Sequence, residues 1–509
     1  MSNVSIQQIH PDLQHLSLYQ HVKQAITSIC DYQFDRGRCV VPTGGGKTAI
    51  EAYSLLLKGL TDEFNIHLVM APRIVLLNQL IKEYRKYIGQ DYLAMCFHSG
   101  KLEKDYTEVK WEETATTSID IINSQIVRAK SMNKNLVIFS TYHSAWKLVD
   151  FNFGMVIADE SQYCVSENYF ETIINLKAKF KLFCTATEKH VETTDLGRGL
   201  NNETVFGPII PGASVSAAEL INQGIIVPPR LHIMRANKSS KNRSSSTVVE
   251  ETINIAKQQH QLTVASGMPY SKILFAMDGT DDIRKIISSI DKIKKELPTH
   301  RIFTIMSNEK YGPMIDGEKV IQEVHGSQIW EKKISRSIFF KELRETDNAL
   351  IFHYDIISEG IDIDGITGVV INRNMQLAKL LQTIGRAVRI FKAHPHLKPQ
   401  AWVTIPVIDG DIENEEWVRK VLTDIKSSFE IFPEYIKFTS DDGTGVDEDE
   451  GLNNMFNTTN LKTLQTKITN VLHEIEDGLY WKKLDEMTPE ELVEYAIQSV
   501  KLPVDHKVN

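Results

Sequence analysis

A glycine-rich loop at residues 42–48, Pro-Thr-Gly-Gly-Gly-Lys-Thr, restricts the possible folds of this chain more than any other feature. The loop follows a short apolar run and precedes residues 49–57, whose pattern predicts a helix. Glycines let a backbone wrap around a phosphate chain, so that N–H groups and a helix N-terminus face its oxygens. Lys47 would then reach the β- and γ-phosphates of a nucleotide, and the hydroxyl of Thr48 would hold Mg²⁺. Val41 stands where the strict pattern has glycine.

The rest of the chain repeats this order of a short apolar run, a polar cluster and a helical period, which is typical of parallel α/β sheets. Two series of runs are separated by Pro228-Pro229, which we interpret as an interdomain linker. The first series is Arg38–Val41, Ile66–Ala71, Leu136–Phe139, Met155–Ala158 and Lys181–Cys184; the second is Ile273–Met277, Arg301–Ile305, Ala349–Phe352, Gly368–Ile371 and Trp402–Val407. The sequence therefore predicts two α/β domains in tandem, at residues 1–229 and 230–410. A third region at residues 411–509 is predicted to be acidic and mostly helical.

Composition excludes several classes of protein. The 509 residues are 42% hydrophobic, which is too apolar for wholesale disorder. The five cysteines are widely spaced without a C-x-x-C pair, which argues against a disulfide framework or a zinc ribbon. The first residues lack the basic start and apolar core of a secretion signal, and no apolar stretch reaches membrane-spanning length, so we expect neither a signal nor a membrane span. We therefore expect no membrane partner and a cytoplasmic location, or the equivalent compartment of an infected host cell.

Two adjacent carboxylates, Asp159 and Glu160, end the apolar run Val156-Ile157-Ala158. At the carboxyl end of a parallel strand, Asp159 can join the metal shell while Glu160 orients and deprotonates a water molecule. Apolar runs that end in Asp-Glu are common, so this pair alone is weak evidence for a metal site. The Lys47 loop in the same predicted domain makes the pair its expected partner.

Taken together, these segments resemble motifs of the superfamily 2 helicases and translocases of the broad DExH type, over roughly residues 14–410. The matches follow the family's order: Leu18-Tyr19-Gln20 (adenine-reading segment), Gly44-Gly45-Gly46-Lys47-Thr48 (motif I), Ala71-Pro72-Arg73 with Gln79 (Ia), Ser140-Thr141-Tyr142-His143-Ser144 (Ib), Asp159-Glu160-Ser161-Gln162 (II), Thr185-Ala186-Thr187 (III), Ser358-Glu359-Gly360-Ile361-Asp362 (V) and Gln382-Thr383-Ile384-Gly385-Arg386-Ala387-Val388-Arg389 (VI). The resemblance implies two tandem RecA-like domains with ATP bound between them.

The resemblance also implies roles for individual residues. The expected catalytic residues are Lys47, Asp159, Glu160, Gln382, Arg386 and Arg389; the expected ATP-binding residues are Gln20, Thr43, Gly44, Gly45, Gly46, Lys47, Thr48, Gly360 and Asp362. Thr48 and Asp159 would hold Mg²⁺. Nucleic acid would contact Arg73, Thr141, Tyr142 and His143, with Tyr142 the first aromatic candidate for stacking on a base. Gln162, Thr185 and Thr187 would couple the ATP site to the strand.

Motif VI has a physical rationale of its own. Gln382, Arg386 and Arg389 are spaced i, i+4 and i+7, which places them on one face of a helix. An arginine on this face could supply positive charge to the phosphoryl group that is being transferred. One departure from the family concerns Gln162, where relatives commonly carry His or Asp. Glutamine can still form a hydrogen bond with Thr185 or Thr187.

These observations favour a nucleic-acid-stimulated ATPase that moves along a strand, with DNA favoured over RNA. An alternative is a motor subunit of a restriction, defence or repair assembly, since residues 98–146 look similar to restriction-type motors. A third, of another class, is a P-loop protein-remodelling ATPase that binds no nucleic acid.

The formal net charge of −9 does not oppose nucleic-acid binding, because it is unevenly distributed. Residues 411–509 hold 22 acidic and 10 basic residues, which leaves the two predicted motor domains slightly basic. The acidic region is either a solvated appendage or a segment that binds a protein partner or the basic cleft.

Overall fold

The computed structural model describes residues 9–60, 63–89, 91–99, 115–187, 197–236, 245–306, 312–325, 330–334, 336–354, 363, 365–373, 375, 377–391, 397–408, 412–429 and 436–439. These residues fall into two compact units. The first is formed within residues 1–230 and 243–404, and the second within residues 231–242 and 405–509. The predicted helices at 461–475 and 488–500, and the acidic run at 447–450, lie outside the described residues.

The described residues form strands and helices in alternation. The strands are β1 (Arg36–Val40), β2 (Ile66–Ala71), β3 (Tyr92–Phe97), β4 (Asn135–Thr141), β5 (Asn152–Asp159), β6 (Lys177–Thr185), β7 (Ile209–Ser214), β8 (Pro229–Ala236), β9 (Lys272–Ala276), β10 (Arg301–Ile305), β11 (Met314–Ile315), β12 (Glu318–Lys319), β13 (Ile321–His325), β14 (Trp330–Ile334), β15 (Ala349–His353), β16 (Gly368–Ile371), β17 (Ala401–Ile408) and β18 (Ile436–Thr439). The helices are α1 (Gln20–Asp31), α2 (Lys47–Ser54), α3 (Ile74–Ile88), α4 (Ile119–Ser131), α5 (Tyr142–Ala145), α6 (Glu167–Asn175), α7 (Glu203–Phe206), α8 (Ala217–Asn222), α9 (Ser245–Ala265), α10 (Thr280–Ile287), α11 (Ile290–Glu296), α12 (Arg336–Glu345), α13 (Leu377–Ala387) and α14 (Ile412–Phe429).

The first sheet has seven strands in the order β3-β4-β2-β5-β6-β1-β7, and the pairings between its described strands are all parallel. Helices follow most strands, so both faces of the sheet are covered and the strands are nearly continuous apolar runs. The carboxyl ends of β1, β2, β4, β5 and β6 therefore meet at one edge. The predicted phosphate loop and the acid pair both lie at that edge.

The second sheet of the first unit follows the order β12-β11-β10-β15-β9-β16-β17. Its central pairs are parallel, as in β15 with β9 and β9 with β16, whereas β10, β11 and β12 pair in an antiparallel manner. Two predominantly parallel α/β sheets in tandem confirm the fold class predicted from the sequence.

The second unit contains β8, α14 and β18 among its described residues. Strands β8 and β18 pair in parallel, with Leu231 opposite Ile436. The proline pair predicted as a linker marks the start of β8 at Pro229, and the carbonyl of Pro228 accepts a hydrogen bond from the N–H of Ala401.

Three further findings concern the described residues as a whole. All ten predicted apolar runs coincide with strands, whereas eight other described strands were not predicted: β3, β7, β8, β11, β12, β13, β14 and β18. All five cysteines are free thiols. None of the helices in the described part of the chain combines the length and the apolar character needed to cross a membrane.

Candidate active site

The glycine loop connects the end of β1 to the first residue of α2, Lys47. Gly44 and Gly46 have φ values of 92° and 90°, a left-handed conformation that side chains other than glycine rarely adopt. A Cβ atom on Gly46 would lie 2.8 Å from Cγ2 of Val22 in α1, so space as well as backbone conformation requires glycine there. A tight loop of this kind that ends in a helix N-terminus is a ready anion-binding site.

Lys47 lies between the two carboxylates of the acid pair. Its Nζ atom is 2.8 Å from Oδ1 of Asp159 and 2.6 Å from Oε1 of Glu160, and the three side chains are at most 16% exposed. Burial disfavours the charged lysine, but the two carboxylate charges outweigh burial and raise the pKa of Lys47 well above its ordinary value. Burial raises the pKa of Asp159, whereas Lys47 outweighs burial at Glu160 and lowers that carboxyl's pKa. Glu160 is therefore the better anion of the pair.

A third acid, Glu51, lies one helical turn after Lys47 and was missed by the sequence analysis. Its side chain is fully buried. Burial and then the charge of Asp159 raise the pKa of Glu51 well above its usual range, which favours the neutral form of this carboxyl. The available signal was a glutamate at i+4 from Lys47 on an otherwise apolar helix.

Glu160 also accepts hydrogen bonds from two glutamines. Nε2 of Gln162 lies 2.8 Å from Oε2 of Glu160, and Nε2 of Gln382 lies 3.1 Å from the same oxygen. Gln382 belongs to α13, which follows a strand of the second sheet, so residues of both sheets meet at one carboxylate. Glu160 itself has a left-handed backbone, with φ of 55°.

Gln162 connects the acid pair to the end of β6. The hydroxyl of Thr185 donates to Oε1 of Gln162 at 2.7 Å, which is the hydrogen bond that the sequence predicted. The backbone N–H of Thr187 donates to the Thr185 hydroxyl at 3.0 Å. The three residues expected to couple the site to a strand therefore form one connected network.

The arginine pair is arranged differently from the prediction. Gln382 and Arg386 lie on α13 and are nearly buried, but the helix ends at Ala387 and Arg389 lies beyond it. Arg389 instead forms an isolated antiparallel β-bridge with Ile226. The predicted single helical face thus holds only for the first two residues, because the chain leaves the helix to pair with residues 226–227.

Helix α13 approaches the glycine loop closely. A Cβ atom on Gly385 would lie 2.7 Å from Cβ of Thr43. Glycine therefore permits a contact between the two sheets' connecting segments that no larger residue would allow without a shift.

These elements enclose a cavity of about 670 Å³. That volume lies within the range of small-molecule sites. The hydroxyl of Thr48 and the carboxylate of Asp159 are the hard oxygen ligands that Mg²⁺ prefers, and the loop, Lys47 and the arginines suit phosphates. The residues present therefore fit a nucleotide with Mg²⁺. The cavity is lined by Tyr19, Pro42, Thr43, Gly44, Gly46, Lys47, Thr48, Ala49, Pro72, Leu76, Gln79, Leu80, Glu83, Lys86, Tyr87, Asp159, Glu160, Tyr163, Gly224, Ile225, Gln382, Arg386, Arg389 and Ile390.

The upstream adenine-reading segment is only partly at the cavity. Tyr19 lines it, whereas the neighbouring Gln20 is exposed and is not among the lining residues. Nε2 of His21 is 2.6 Å from the carbonyl oxygen of Gly45. The predicted nucleotide ligands Gly360 and Asp362 lie outside the described residues.

The predicted nucleic-acid residues lie at or just beyond the carboxyl ends of two neighbouring strands, β2 and β4, where Ala71 pairs with Thr141. Arg73 and His143 are exposed at this edge, and Thr141 is 6% exposed. Tyr142 is 1% exposed, and its hydroxyl donates to the carbonyl oxygen of Asp159 at 2.7 Å. The expectation that Tyr142 stacks on a base is therefore wrong for this structure, because its ring is a core residue that supports the end of β5.

Comparisons with known proteins agree with this geometry. Residues 15–190 match the family model of the Type III restriction enzyme, res subunit. The fold is similar to that of an ATP-dependent Type ISP restriction-modification enzyme, LlaBIII, bound to DNA, with a TM-score of 0.61 and 14% identity over 94% of this chain and 36% of that one. It is also similar to a nuclease-deletion mutant of the Type ISP enzyme LlaGI in complex with a DNA substrate mimic, with a TM-score of 0.56 and 17% identity over 83% of this chain and 30% of that one. The chain thus spans about a third of each of these enzymes. Among curated proteins none matches it.

Proposed function

We propose that this chain is a superfamily 2 helicase or translocase, on the basis of its motif order and its two parallel sheets, and that it hydrolyses ATP to move along DNA. The main support is the hydrogen bond from Gln382 to Glu160, because it joins the second sheet's half of the cavity to the acid pair of the first. A nucleotide gripped from both sides would draw residues 1–229 and 230–410 together, and hydrolysis would release them.

The proposed chemistry divides the work among the cavity residues. The loop glycines and Lys47 hold the phosphates, and Glu160, the more acidic carboxyl, accepts a proton from the attacking water. Arg386 and Arg389 add positive charge where negative charge develops. Mg²⁺, held by Thr48 and Asp159, would supply further charge stabilisation when bound. Gly360 and Asp362 of the motif V segment belong to the same proposed site.

The strand would bind at the edge where β2 and β4 end. Arg73 and His143 are exposed there and Thr141 ends β4 at the same edge, so phosphates are the expected contacts. The network of Gln162, Thr185 and Thr187 would couple this edge to Glu160. DNA is favoured over RNA because both Type ISP structures to which the fold is similar contain DNA or a DNA mimic.

A second candidate is a motor within a larger restriction, defence or repair assembly. It is favoured by the match of residues 15–190 to the restriction res-subunit family and by the similarity of the fold to two Type ISP restriction enzymes. The acidic residues 411–509 would then be the surface for a protein partner, and the cytoplasm the compartment. A protein-remodelling ATPase has no observation of its own in its favour.

The decisive experiment measures ATPase rates at low salt with no nucleic acid, single-stranded DNA, duplex DNA, forked DNA and RNA. We expect DNA to raise the rate and RNA to raise it less. Lys47→Ala serves as the inactive control for contaminating ATPases. A rate that no nucleic acid changes would contradict the motor and favour the remodelling ATPase. Stimulation by duplex rather than single-stranded DNA would favour the restriction-type motor.

A further inference from the structure

Arg389 needs a means of support other than its helix. It lies two residues past the end of α13, so the hydrogen bonds of the helix do not fix its position. The last carbonyl groups of a helix also lack partners within it and must be satisfied by other groups. The position of Arg389 and the last carbonyl groups of α13 therefore both depend on contacts from outside the helix, at the point where α13 ends beside the cavity.

A buried lysine meets both needs. Lys398 is 1% exposed, and its Nζ atom donates hydrogen bonds to the backbone carbonyls of Ala387 and Arg389. Ala387 is the last residue of α13, so one ammonium group connects the helix end to the arginine. A positive charge at this end also interacts favourably with the helix dipole.

The same segment also pairs with residues 226–227 from the first half of the chain. Ile226 forms the β-bridge with Arg389, and the N–H of Val227 donates to the carbonyl of Val388 at 2.8 Å. The backbone of Arg389 is thereby fixed between a short β-pairing and the Lys398 ammonium.

We propose that Lys398 is a positioning residue that holds Arg389 in place for ATP hydrolysis. This inference rests on the proposed function. Lys398 does not line the cavity, so it would act through the arginine rather than on the phosphates.

A second buried lysine provides a matched control. Lys272 is 3% exposed, and its Nζ atom donates to the carbonyl of Leu343 near the end of α12, at 2.9 Å. It supports a helix end as Lys398 does, but it lies outside the cavity. Substitution at Lys272 should therefore cost stability without changing turnover.

The test measures the steady-state ATPase rate with the nucleic acid that most stimulates the wild type. It compares the full-length wild type with four variants: Lys398→Met, Lys272→Met, Arg389→Ala and the double variant Lys398→Met/Arg389→Ala. We expect Lys398→Met to lower kcat roughly 10–100-fold, the scale of a misplaced catalytic group. The KM for ATP should change little, because the phosphates keep Lys47 and the glycine loop. In the Arg389→Ala background Lys398→Met should lower kcat by no more than about twofold, since the two residues act as one unit.

Each outcome decides the matter. An inactive wild type would remove the proposed function and this inference with it. If the wild type is active and Arg389→Ala lowers kcat, normal kcat for Lys398→Met overturns the positioning role alone. Normal kcat for Arg389→Ala overturns that role as well, because Lys398 would then have no catalytic arginine to position. Equal losses of kcat in Lys398→Met and Lys272→Met, or a further loss in the double variant, also overturn it. If Lys398→Met does not fold by circular dichroism, Lys398→Gln, which keeps one N–H donor group, takes its place with a smaller expected loss.

Discussion

Replacement of Gln162 by methionine tests the connection between the acid pair and β6. Methionine has a similar length and volume but neither an amide donor nor a carbonyl acceptor. The change removes the bond from Nε2 of Gln162 to Glu160 and the bond from the Thr185 hydroxyl to Oε1 of Gln162, at 2.8 and 2.7 Å. Thr185 keeps the carbonyl of Thr187 as an alternative acceptor at 2.6 Å, so its buried hydroxyl is not left unsatisfied.

The expected loss follows from the character of the two bonds. A hydrogen bond to a charged group contributes about 1.5–3 kcal/mol and a neutral one about 1 kcal/mol. Glu160 retains Lys47 and Gln382 as donors, so only part of this free energy should appear in the barrier. We expect kcat to fall roughly 10–100-fold, since about 1.4 kcal/mol corresponds to a factor of ten.

The assay is nucleic-acid-stimulated ATP hydrolysis, with kcat and the stimulation ratio measured separately. Gln162→His, which offers one donor and one acceptor, should recover most of the activity. The matched control is Gln400→Met, because Gln400 bridges Arg230 and Ser266 at 3.1 and 2.7 Å outside the cavity. Turnover by Gln162→Met within about twofold of the wild type, or an equal loss in Gln400→Met, would show that the two hydrogen bonds of Gln162 do not contribute to catalysis.

Three further predictions follow from the described residues. Lys47→Ala and Glu160→Gln should each abolish ATP turnover, with losses of at least about 100-fold for the general base, while circular dichroism shows an intact fold; normal hydrolysis by either variant would contradict the site. Gly46→Ala should weaken the binding of a fluorescent ATP analogue roughly tenfold, because a left-handed backbone costs residues other than glycine about 1–2 kcal/mol. The control is Gly89→Ala, which also has a positive φ but has open space around it and should leave the affinity for the analogue unchanged. Burial lowers the pKa of His67 to about 4, so stability from its neutral ring is complete above about pH 6.5 and is lost as the pH falls toward 4. By pH 5 the free energy of unfolding should have fallen by roughly 2 kcal/mol, which hydrogen exchange of the β2 amides would measure. If the variant His67→Leu loses as much stability over the same pH range, His67 is not the source of the loss.

The strand pattern and the phosphate loop could be predicted because they depend on local sequence. Each predicted apolar run became a strand, and a loop followed by a helix placed Lys47 at the sheet edge. The carboxyl ends of parallel strands meet at one edge, which brought Asp159 and Glu160 to Lys47. The bond between Gln162 and Thr185 could be predicted for the same reason.

The remaining features depend on contacts that the sequence does not encode locally. Tyr142 is aromatic and follows a strand, but only packing shows that its ring lies in the core. Helical spacing placed Arg389 on α13, whereas pairing with Ile226 draws the chain out of the helix. Glu51 was missed because an acid on an apolar helix is normally expected to face solvent, and only the fold places it beside Asp159.

The missing side chain at Gly385 sets how closely the two halves of the cavity can approach. Glycine within a helix costs about 1 kcal/mol relative to alanine, so α13 is less stable than it could be. In return the helix comes within contact of Thr43, where a single added carbon would meet the threonine at 2.7 Å. A methyl group there would act as a spacer that keeps Gln382 from reaching Glu160. A single methyl group at position 385 would therefore be enough to separate α13 from the glycine loop.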